Sequence, residues 1–275
     1  MVTLSGFGDE IAADFSEQMD VMESVGIHHI ELRGAWGTGV DKLTDDQLKL
    51  AKQMLHDRGF GISAIGSGLG KIGINDDFDA HLRDCEHYVE LAKYFDAPFI
   101  RLFSFYIPEG DQPGNHREEV MRRMRAMVDM AAAEGIAMAH ENERGIYGEK
   151  PAECRDIIDT IDSEFLGAIF DPANFIQAGV DPLDEGWPLL KDDIVYFHIK
   201  DAQMSDGAVR PAGEGDGKIK TILADKLFSG WEGVLSLEPH LKHAGKAGGY
   251  SGPEAFVVAA KALQKILDEL GVAYN

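Results

Sequence analysis

The chain has 275 residues, of which 44% are hydrophobic and 27% charged, and its formal net charge is −22 at pH 7. Such a negative charge argues against nucleic-acid binding, because duplex phosphates would be repelled. The amino terminus has no basic region followed by an apolar stretch. No window approaches the roughly 18 apolar residues that a membrane span needs, so we expect a cytoplasmic protein without a membrane partner.

Apolar runs typical of buried strands alternate with helical patterns along the whole chain. A capping-box pattern at Thr44 and another at Ser251 support the helices, as do glycines that follow amphipathic runs. The unit after the sixth strand is the weakest, because WPLLKDD offers little helix. The strand-like runs begin near Val2, His29, Gly61, Phe99, Ile136, Leu166, Ile194 and Gly233.

Eight such βα units predict an α/β protein, a single (β/α)8 TIM barrel in one domain over residues 1–275. No linker or low-complexity tract divides the chain. An open doubly wound sheet is the alternative architecture. It would require a phosphate fingerprint after the first strand, and SGFGDEIAADF lacks the full G-x-G-x-x-G pattern.

Four acid or imidazole side chains stand at the ends of four consecutive predicted strands. They are Glu141, Asp171, His198 and Glu238, in IAMAHE, LGAIFD, IVYFH and VLSLE, and they follow one another by 30, 27 and 40 positions. A strand, a helix and two loops occupy about that length in a parallel α/β protein. We therefore expect the four side chains to meet at one end of the barrel.

The alternation within each strand supports this placement, because residues two positions apart share a face. Acids crowded in one barrel mouth would repel one another, which indicates a shared divalent cation. Three carboxylates and one imidazole suit manganese, magnesium or cobalt, and they also accept zinc. The predicted inward residues are Ala139, Ile169, Tyr196 and Ser236, and the outward ones are Met138, Phe170, Phe197 and Leu237.

The motifs around these residues resemble the xylose isomerase-like (β/α)8 barrels of sugar isomerases and epimerases, which are related to type IV apurinic endonucleases. The resemblance covers essentially the whole chain. It implies that the four strand-end residues bind one cation and that Arg210, in the loop after the histidine strand, contacts the substrate. Barrels of this family commonly pair, so a homo-oligomer is compatible with it. Its carriers are IELRGAWG, IRLFSFY, HENERGIYG, FDPANF, FHIKD, VRPAGEGDG and SLEPH.

The endonuclease branch of this resemblance is disfavoured. Trinuclear endonucleases carry extra histidine ligands, whereas the corresponding stretches here are ISAIGSG, IRLFSFY and VRPAGEGDG, and Asn174 stands three residues after Asp171. We therefore expect a small-molecule sugar substrate and no nucleic acid, in agreement with the charge.

Two glutamates beside one cation indicate proton transfer. A cation that chelates a carbonyl and the neighbouring hydroxyl acidifies the shared proton and stabilises an enediolate. We predict that Glu141 and Glu238 are both ligands and an acid–base pair, in an isomerase or epimerase of an unphosphorylated keto or aldo sugar. The alternative is a lyase using the same intermediate, either an inosose-type dehydratase or an eliminase of a 3-keto-glycoside. A non-catalytic sugar-binding barrel is a third hypothesis.

Further substrate contacts are predicted around the four ligands. We expect Arg33, Arg101, Arg210 and His240 to contact hydroxyl or oxyanion groups, although outer salt bridges are an alternative for each. Trp36 is a candidate for stacking on a sugar ring, with simple packing as its alternative.

Three other features leave alternatives open. Glu143 shares the strand phase of Glu141 and is its rival for the metal role. Lys200 is expected to pair with Asp201, with a role as a base as the alternative. The loop GEGDG is too acidic for a phosphate. Basic residues after the eighth strand nevertheless leave a phosphate site open: Lys242, His243 and Lys246.

Overall fold

A computed structural model describes residues 1–241 and 251–275, and a barrel of eight parallel strands forms its centre. The strands pair in the order β1, β8, β7, β6, β5, β4, β3, β2, and a parallel bridge between Phe7 and Glu31 joins β2 to β1. The predicted TIM barrel is confirmed, and every strand begins within one residue of its predicted start. Strands β1 to β8 span Thr3–Gly6, His29–Leu32, Gly61–Ile65, Phe99–Leu102, Ala137–Glu141, Leu166–Phe170, Ile194–Ile199 and Val234–Leu237.

Helices surround the barrel, and none in the described ranges is long and apolar enough to cross a membrane. The sixth unit has only the short helices α6 and α7, joined through a π-helical turn at Pro182–Gly186, which matches its weak sequence pattern. Helices α1 to α9 span Phe15–Ser24, Asp45–Arg58, Phe78–Phe95, Arg117–Ala133, Pro151–Ile161, Pro172–Gln177, Trp187–Leu190, Ile219–Phe228 and Gly252–Leu270. Short 3-10 turns lie at Gly8–Glu10, Val40–Lys42, Pro113–His116 and Tyr147–Glu149.

One of the two predicted capping boxes is present. Thr44 accepts the amide of Gln47, and the Gln47 side chain accepts the amide of Thr44, at the start of α2. The prediction for Ser251 is wrong. Its hydroxyl donates to Glu10 Oε2 at 3.0 Å and accepts the amide of Leu241, so tertiary contacts use the group that would have capped α9.

The core has two layers, and they confirm the predicted strand phase. Ala139, Ile169 and Tyr196 form a cluster inside the barrel together with Ala64. The larger cluster, between strands and helices, contains the outward residues Met138, Phe170, Phe197 and Leu237. A small interior core beneath the carboxyl ends of the strands leaves room for polar side chains at the mouth.

Candidate metal centre

The four strand-end residues meet in the mouth of the barrel. Glu141, Asp171, His198 and Glu238 are all buried, and each offers a ligand atom within 4.8 Å of the ligand atoms of the other three. Adjacent parallel strands bring these residues to the same end of the barrel, since β5 ends at Glu141 and His198 is the penultimate residue of β7. The regular spacing in the sequence thus corresponds to one compact cluster.

Asp171 is oriented by the start of α6. One carboxylate oxygen, Oδ1, accepts the amide of Asn174 at 2.9 Å as the helix cap, and Pro172 occupies the first helical position. The side chain of Asn142 bonds both the amide and the carbonyl of Asp171, each at 3.0 Å, and thereby ties the ends of β5 and β6 together. The other carboxylate oxygen, Oδ2, faces the cluster.

His198 turns different nitrogens to two groups of acids. Its Nε2 lies 3.1 Å from Glu31 Oε2, and its Nδ1 lies 3.0 Å from Glu141 Oε1 and 3.7 Å from Glu238 Oε2. Glu31 was not among the predicted site residues. The sequence nevertheless contained an indication of its role, because Glu31 is an acid near the end of β2, like the predicted site residues on the other strands.

Two buried atoms show that this site fits a cation. Among the described residues, Asp171 Oδ2 and His198 Nδ1 make no hydrogen bond of good geometry, and their close contacts are ion pairs with Lys200 at 2.9 Å and with Glu141 at 3.0 Å. Together with the carboxylates of Glu141 and Glu238, these two atoms form an oxygen-rich set of donors of the kind that binds a divalent cation. One divalent cation at the usual 2.0–2.6 Å ligand distances would satisfy both atoms.

Lys200 lies inside the cluster. Its ammonium nitrogen is 2.9 Å from Asp171 Oδ2 and 3.1 Å from Glu238 Oε2. The prediction that Lys200 pairs with Asp201 is wrong, because neighbouring residues of an extended strand project to opposite faces. Lys200 shares the inward face of His198 and Asp201 does not.

Asp201 instead holds the glycine-rich loop that follows β7. Each of its carboxylate oxygens accepts two backbone amides at 2.8–3.1 Å. An alanine at Gly215 would bring its Cβ within 2.4 Å of Asp201 Oδ1, so the close approach of backbone and carboxylate requires glycine. The amides belong to Ala202, Gly213, Gly215 and Gly217.

The two arginines predicted as substrate contacts lie against the glutamates. Arg101 Nη1 is 3.2 Å from Glu141 Oε2 and 3.6 Å from Glu238 Oε1, while Arg33 Nη1 is 3.1 Å from Glu238 Oε1. Both guanidinium groups also lie over the ring of Phe7, at 4.4 Å for Arg33 and 4.9 Å for Arg101. Each glutamate therefore has one oxygen toward the cluster and one toward an arginine.

The remaining predicted contacts lie at different distances from the cluster. His240 Nε2 is 3.1 Å from Glu10 Oε1 and 3.6 Å from Glu238 Oε1, which places it at the edge of the site. Arg210 donates to the carbonyl of Val209 and to Gln203 Oε1, within the ribbon formed by Asp201–Ala202 and Val209–Arg210.

Trp36 and Glu143 are not members of the four-residue cluster. Trp36 stands in the turn between the short strands Gly34–Ala35 and Thr38–Gly39, and its ring packs 5.4 Å from that of Phe15. Glu143 forms an ion pair with Lys71 at 2.5 Å and is not in the cluster. Substrate contact by Trp36 and by the preceding arginines and histidine stays a prediction.

Burial and neighbouring charges shift the pKa values of the clustered carboxylates. Burial raises the pKa of Asp171 to about 6, and the charges of Glu141 and Glu238 add to the increase although Lys200 opposes it. Burial also disfavours the charged form of Glu141, but the charges of His198 and Arg101 outweigh it and lower that pKa to about 2. Lys200 and His240 likewise outweigh burial and hold the pKa of Glu238 well below its usual value.

Burial and neighbouring carboxylates also have opposite effects on the pKa of His198. Burial would lower the pKa of His198, but the carboxylates of Glu141 and Glu31 outweigh burial and raise it to about 10. Without a cation, the cluster thus keeps a positive charge on His198 among its acids.

Known proteins share this chain's sequence pattern and architecture. A family model, the xylose isomerase-like TIM barrel, matches residues 19–270. The 3-dehydroshikimate dehydratase of Bacillus anthracis is 23% identical over 184 residues, which is 66% of this chain and 64% of that protein. The chain therefore spans less than two thirds of the length of this relative.

Solved structures extend the likeness over nearly the whole chain. A D-tagatose 3-epimerase-like protein aligns with a TM-score of 0.79 and 17% identity, covering 98% of both chains. A xylose isomerase-like TIM barrel protein from Mycobacterium smegmatis, solved in complex with magnesium, aligns with a TM-score of 0.71 and 20% identity, covering 98% of this chain and 96% of that one. At these identities the structures establish the fold.

Proposed function

Because the chain belongs to the xylose isomerase-like TIM barrel family, we propose that it is a divalent-metal-dependent isomerase or epimerase of an unphosphorylated keto or aldo sugar. The observation that carries this proposal is the buried cluster of Glu141, Asp171, His198 and Glu238, whose ligand atoms all lie within 4.8 Å of one another. Two of the four residues are glutamates, so the same cluster contains both a set of ligands and a pair of proton-transfer groups.

The four side chains would hold one cation, with His198 using Nδ1 and Asp171 using Oδ2. A bound cation supplies Lewis-acid polarisation of the substrate carbonyl, which acidifies the adjacent C–H bond. Glu141 and Glu238 would act as base and acid: one carboxylate takes a proton from the substrate carbon, and the other, carrying a proton of its own, donates it to the enediolate. Donation to the same carbon from the opposite face is epimerisation. Donation to the neighbouring carbon, with the hydroxyl proton of that carbon moved to the former carbonyl oxygen, is isomerisation.

The arginines position these carboxylates for that role. Arg101 donates to Glu141 Oε2, and Arg33 donates to Glu238 Oε1, so one oxygen of each glutamate is fixed. A fixed second oxygen limits rotation of the carboxylate and keeps the first oxygen directed into the cluster. All four groups are buried, which strengthens the electrostatic interactions among them.

The choice of an unphosphorylated substrate is supported by the loop after β7. Its amides at Gly213, Gly215 and Gly217 donate to Asp201, so they are already used and do not face a phosphate. Glu214 and Asp216 add negative charge there. The basic residues Lys242, His243 and Lys246, which left a phosphate site open, lie outside the described residues.

A lyase is the second candidate, and the similarity to a 3-dehydroshikimate dehydratase favours it. Removal of the same α-proton can be followed by loss of a β-hydroxyl or alkoxy group, so the same four ligands serve elimination as well. Whether the enzyme eliminates or isomerises then depends on whether a side chain next to the β-carbon of the substrate assists departure of the β-substituent.

The two reactions can be separated with keto sugars and a 3-keto-glycoside in deuterated water containing Mn²⁺. An isomeric product that carries deuterium supports the isomerase, whereas an unsaturated product supports the lyase. Glu141→Gln and Glu238→Gln should each reduce turnover about 10²- to 10⁴-fold, because each removes a proton-transfer group. Glu143→Gln, two residues beyond the end of β5, is the matched control and should leave turnover unchanged. Retained turnover in a folded, metal-loaded Glu141→Gln variant would contradict the proposal.

A further inference from the structure

We infer that Glu31 is a positioning residue that fixes the ring of His198 and presents its Nδ1 to the cation. The inference rests on the cation site of the proposed function, and it assigns a role to a buried acid that the proton transfer itself does not use. Glu31 is fully buried, as is His198, so their contact is not shared with solvent.

Glu31 and His198 are in close contact, and a residue of β8 fixes the Glu31 carboxylate. Both carboxylate oxygens of Glu31 approach His198 Nε2, at 3.3 and 3.1 Å. Ser236 donates to Glu31 Oε2 at 2.8 Å, and Ser236 lies directly opposite His198 in the pairing of β8 with β7. The carboxylate is therefore anchored by the same pair of strands that carries the imidazole.

Aromatic rings confine the imidazole in its remaining directions. Phe7 meets His198 edge-on with ring centroids 5.3 Å apart, and Tyr196 meets it edge-on at 5.9 Å. With its ring plane fixed in this way, His198 directs Nε2 to Glu31 and Nδ1 to Glu141 and Glu238.

The physical consequence follows from the chemistry of imidazole. When Nε2–H donates to a carboxylate, the proton stays on Nε2 and the lone pair on Nδ1 is left for a metal. The negative charge of the carboxylate also makes the imidazole a stronger ligand, and loss of such a partner typically weakens metal affinity about 10- to 100-fold. Glu31 thus contributes to cation binding without contacting the cation.

The interior of the barrel offers a matched control. Ser63 Oγ lies 2.8 Å from Tyr196 OH and 2.6 Å from Ser5 Oγ, so Ser63 belongs to the buried polar groups beneath the site and makes no hydrogen bond to Glu31 or His198 among the described residues. A Ser63→Ala variant removes a buried hydroxyl whose partners are Tyr196 and Ser5, and it leaves Glu31, Ser236 and His198 themselves unchanged.

The test measures Mn²⁺ dissociation constants of full-length variants from the electron paramagnetic resonance signal of free Mn²⁺. Glu31→Gln should bind Mn²⁺ about 10- to 100-fold more weakly, and Ser236→Ala should weaken binding by a smaller factor. Ser63→Ala should bind as the unaltered protein does. Thermal melting of each cation-free variant reports whether it is folded.

A second measurement reports the protonation of the His198 imidazole. In protein loaded with Mg²⁺ and labelled with ¹⁵N-histidine, His198 should show a protonated Nε2, and Glu31→Gln should shift this resonance and speed exchange of its proton. Unchanged Mn²⁺ affinity and an unchanged resonance in folded Glu31→Gln and Ser236→Ala would overturn the role of Glu31. Failure of the unaltered protein to bind Mn²⁺ would overturn the cation site, and the proposed function with it.

Discussion

Lys200 Nζ lies 2.9 Å from Asp171 Oδ2, the carboxylate oxygen that a cation would use. The same ammonium is 3.1 Å from Glu238 Oε2. An internal positive charge thus neutralises the acids of the mouth in the cation-free protein, and it opposes a second positive charge at the same place.

Replacement of Lys200 should therefore have opposite effects on stability and on cation binding. Lys200→Met should lower the melting temperature of the cation-free protein, because it leaves buried carboxylates without a counter-charge. It should also tighten Mn²⁺ binding at least about tenfold, since a nearby like charge is removed. Lys220→Met, which breaks an exposed ion pair with Glu269, is the control and should change neither quantity. Weaker Mn²⁺ binding by Lys200→Met would contradict this prediction.

Cation binding should depend on pH through His198. Burial would lower its pKa, but Glu141 and Glu31 raise it to about 10, so the imidazole keeps its proton at neutral pH and must release it to bind a cation. The apparent affinity for Mn²⁺ should therefore rise about tenfold for each unit between pH 7 and pH 9. Because burial raises the pKa of Asp171 to about 6, the dependence should steepen below pH 6. Calorimetry in buffers of different ionisation enthalpy measures the proton release, and affinity independent of pH would refute it.

The loop after β7 should depend on Asp201. Asp201→Ala removes the acceptor of four backbone amides, of which those at Gly213 and Gly217 lie 2.9 and 2.8 Å away. Leaving such donors without a partner costs about 1–3 kcal/mol each when they stay buried, so we expect local unfolding of the loop. Limited proteolysis should cut the variant there. Asp206→Ala is the matched control, because the Asp206 carboxylate accepts only the exposed amide of Ala208 among the described residues.

Arg101 should be important for stability as well as for turnover. It is buried, donates to Glu141, and also donates to the carbonyls of Ser67 and Gly66. Arg101→Met leaves these acceptors unpaired, and breaking a buried ion pair costs about 3–5 kcal/mol. Chemical denaturation of the cation-free protein measures the loss.

An exposed ion pair supplies the comparison for Arg101. Arg122 bonds Glu119 at 2.7 Å on the surface of α4, with 58% of its side chain exposed. Arg122→Met should change the free energy of unfolding by no more than about 1 kcal/mol. If Arg101→Met and Arg122→Met changed the free energy of unfolding equally, the buried ion pair would not stabilise the protein more than the exposed one, and the prediction would be wrong.

Local patterns in the sequence were sufficient to predict the barrel and the four clustered residues. Strand starts, the inward phase of Ala139, Ile169 and Tyr196, and the positions of the four clustered residues near strand ends depend only on periodicity and spacing, which the chain carries locally. A residue's face on a strand follows from its neighbours two positions away. The spacing of βα units then brings the strand ends to the same rim.

Only the tertiary structure decided which side chains meet. Glu31 and His198 are 167 positions apart and come together because the barrel closes. Likewise Lys200 forms ion pairs with Asp171 and Glu238 instead of with its neighbour Asp201, and Ser251 donates a hydrogen bond to Glu10 instead of capping α9. Partners of this kind depend on curvature, closure and side-chain direction across the barrel interior, whereas periodicity along the chain determines only the face on which a residue lies.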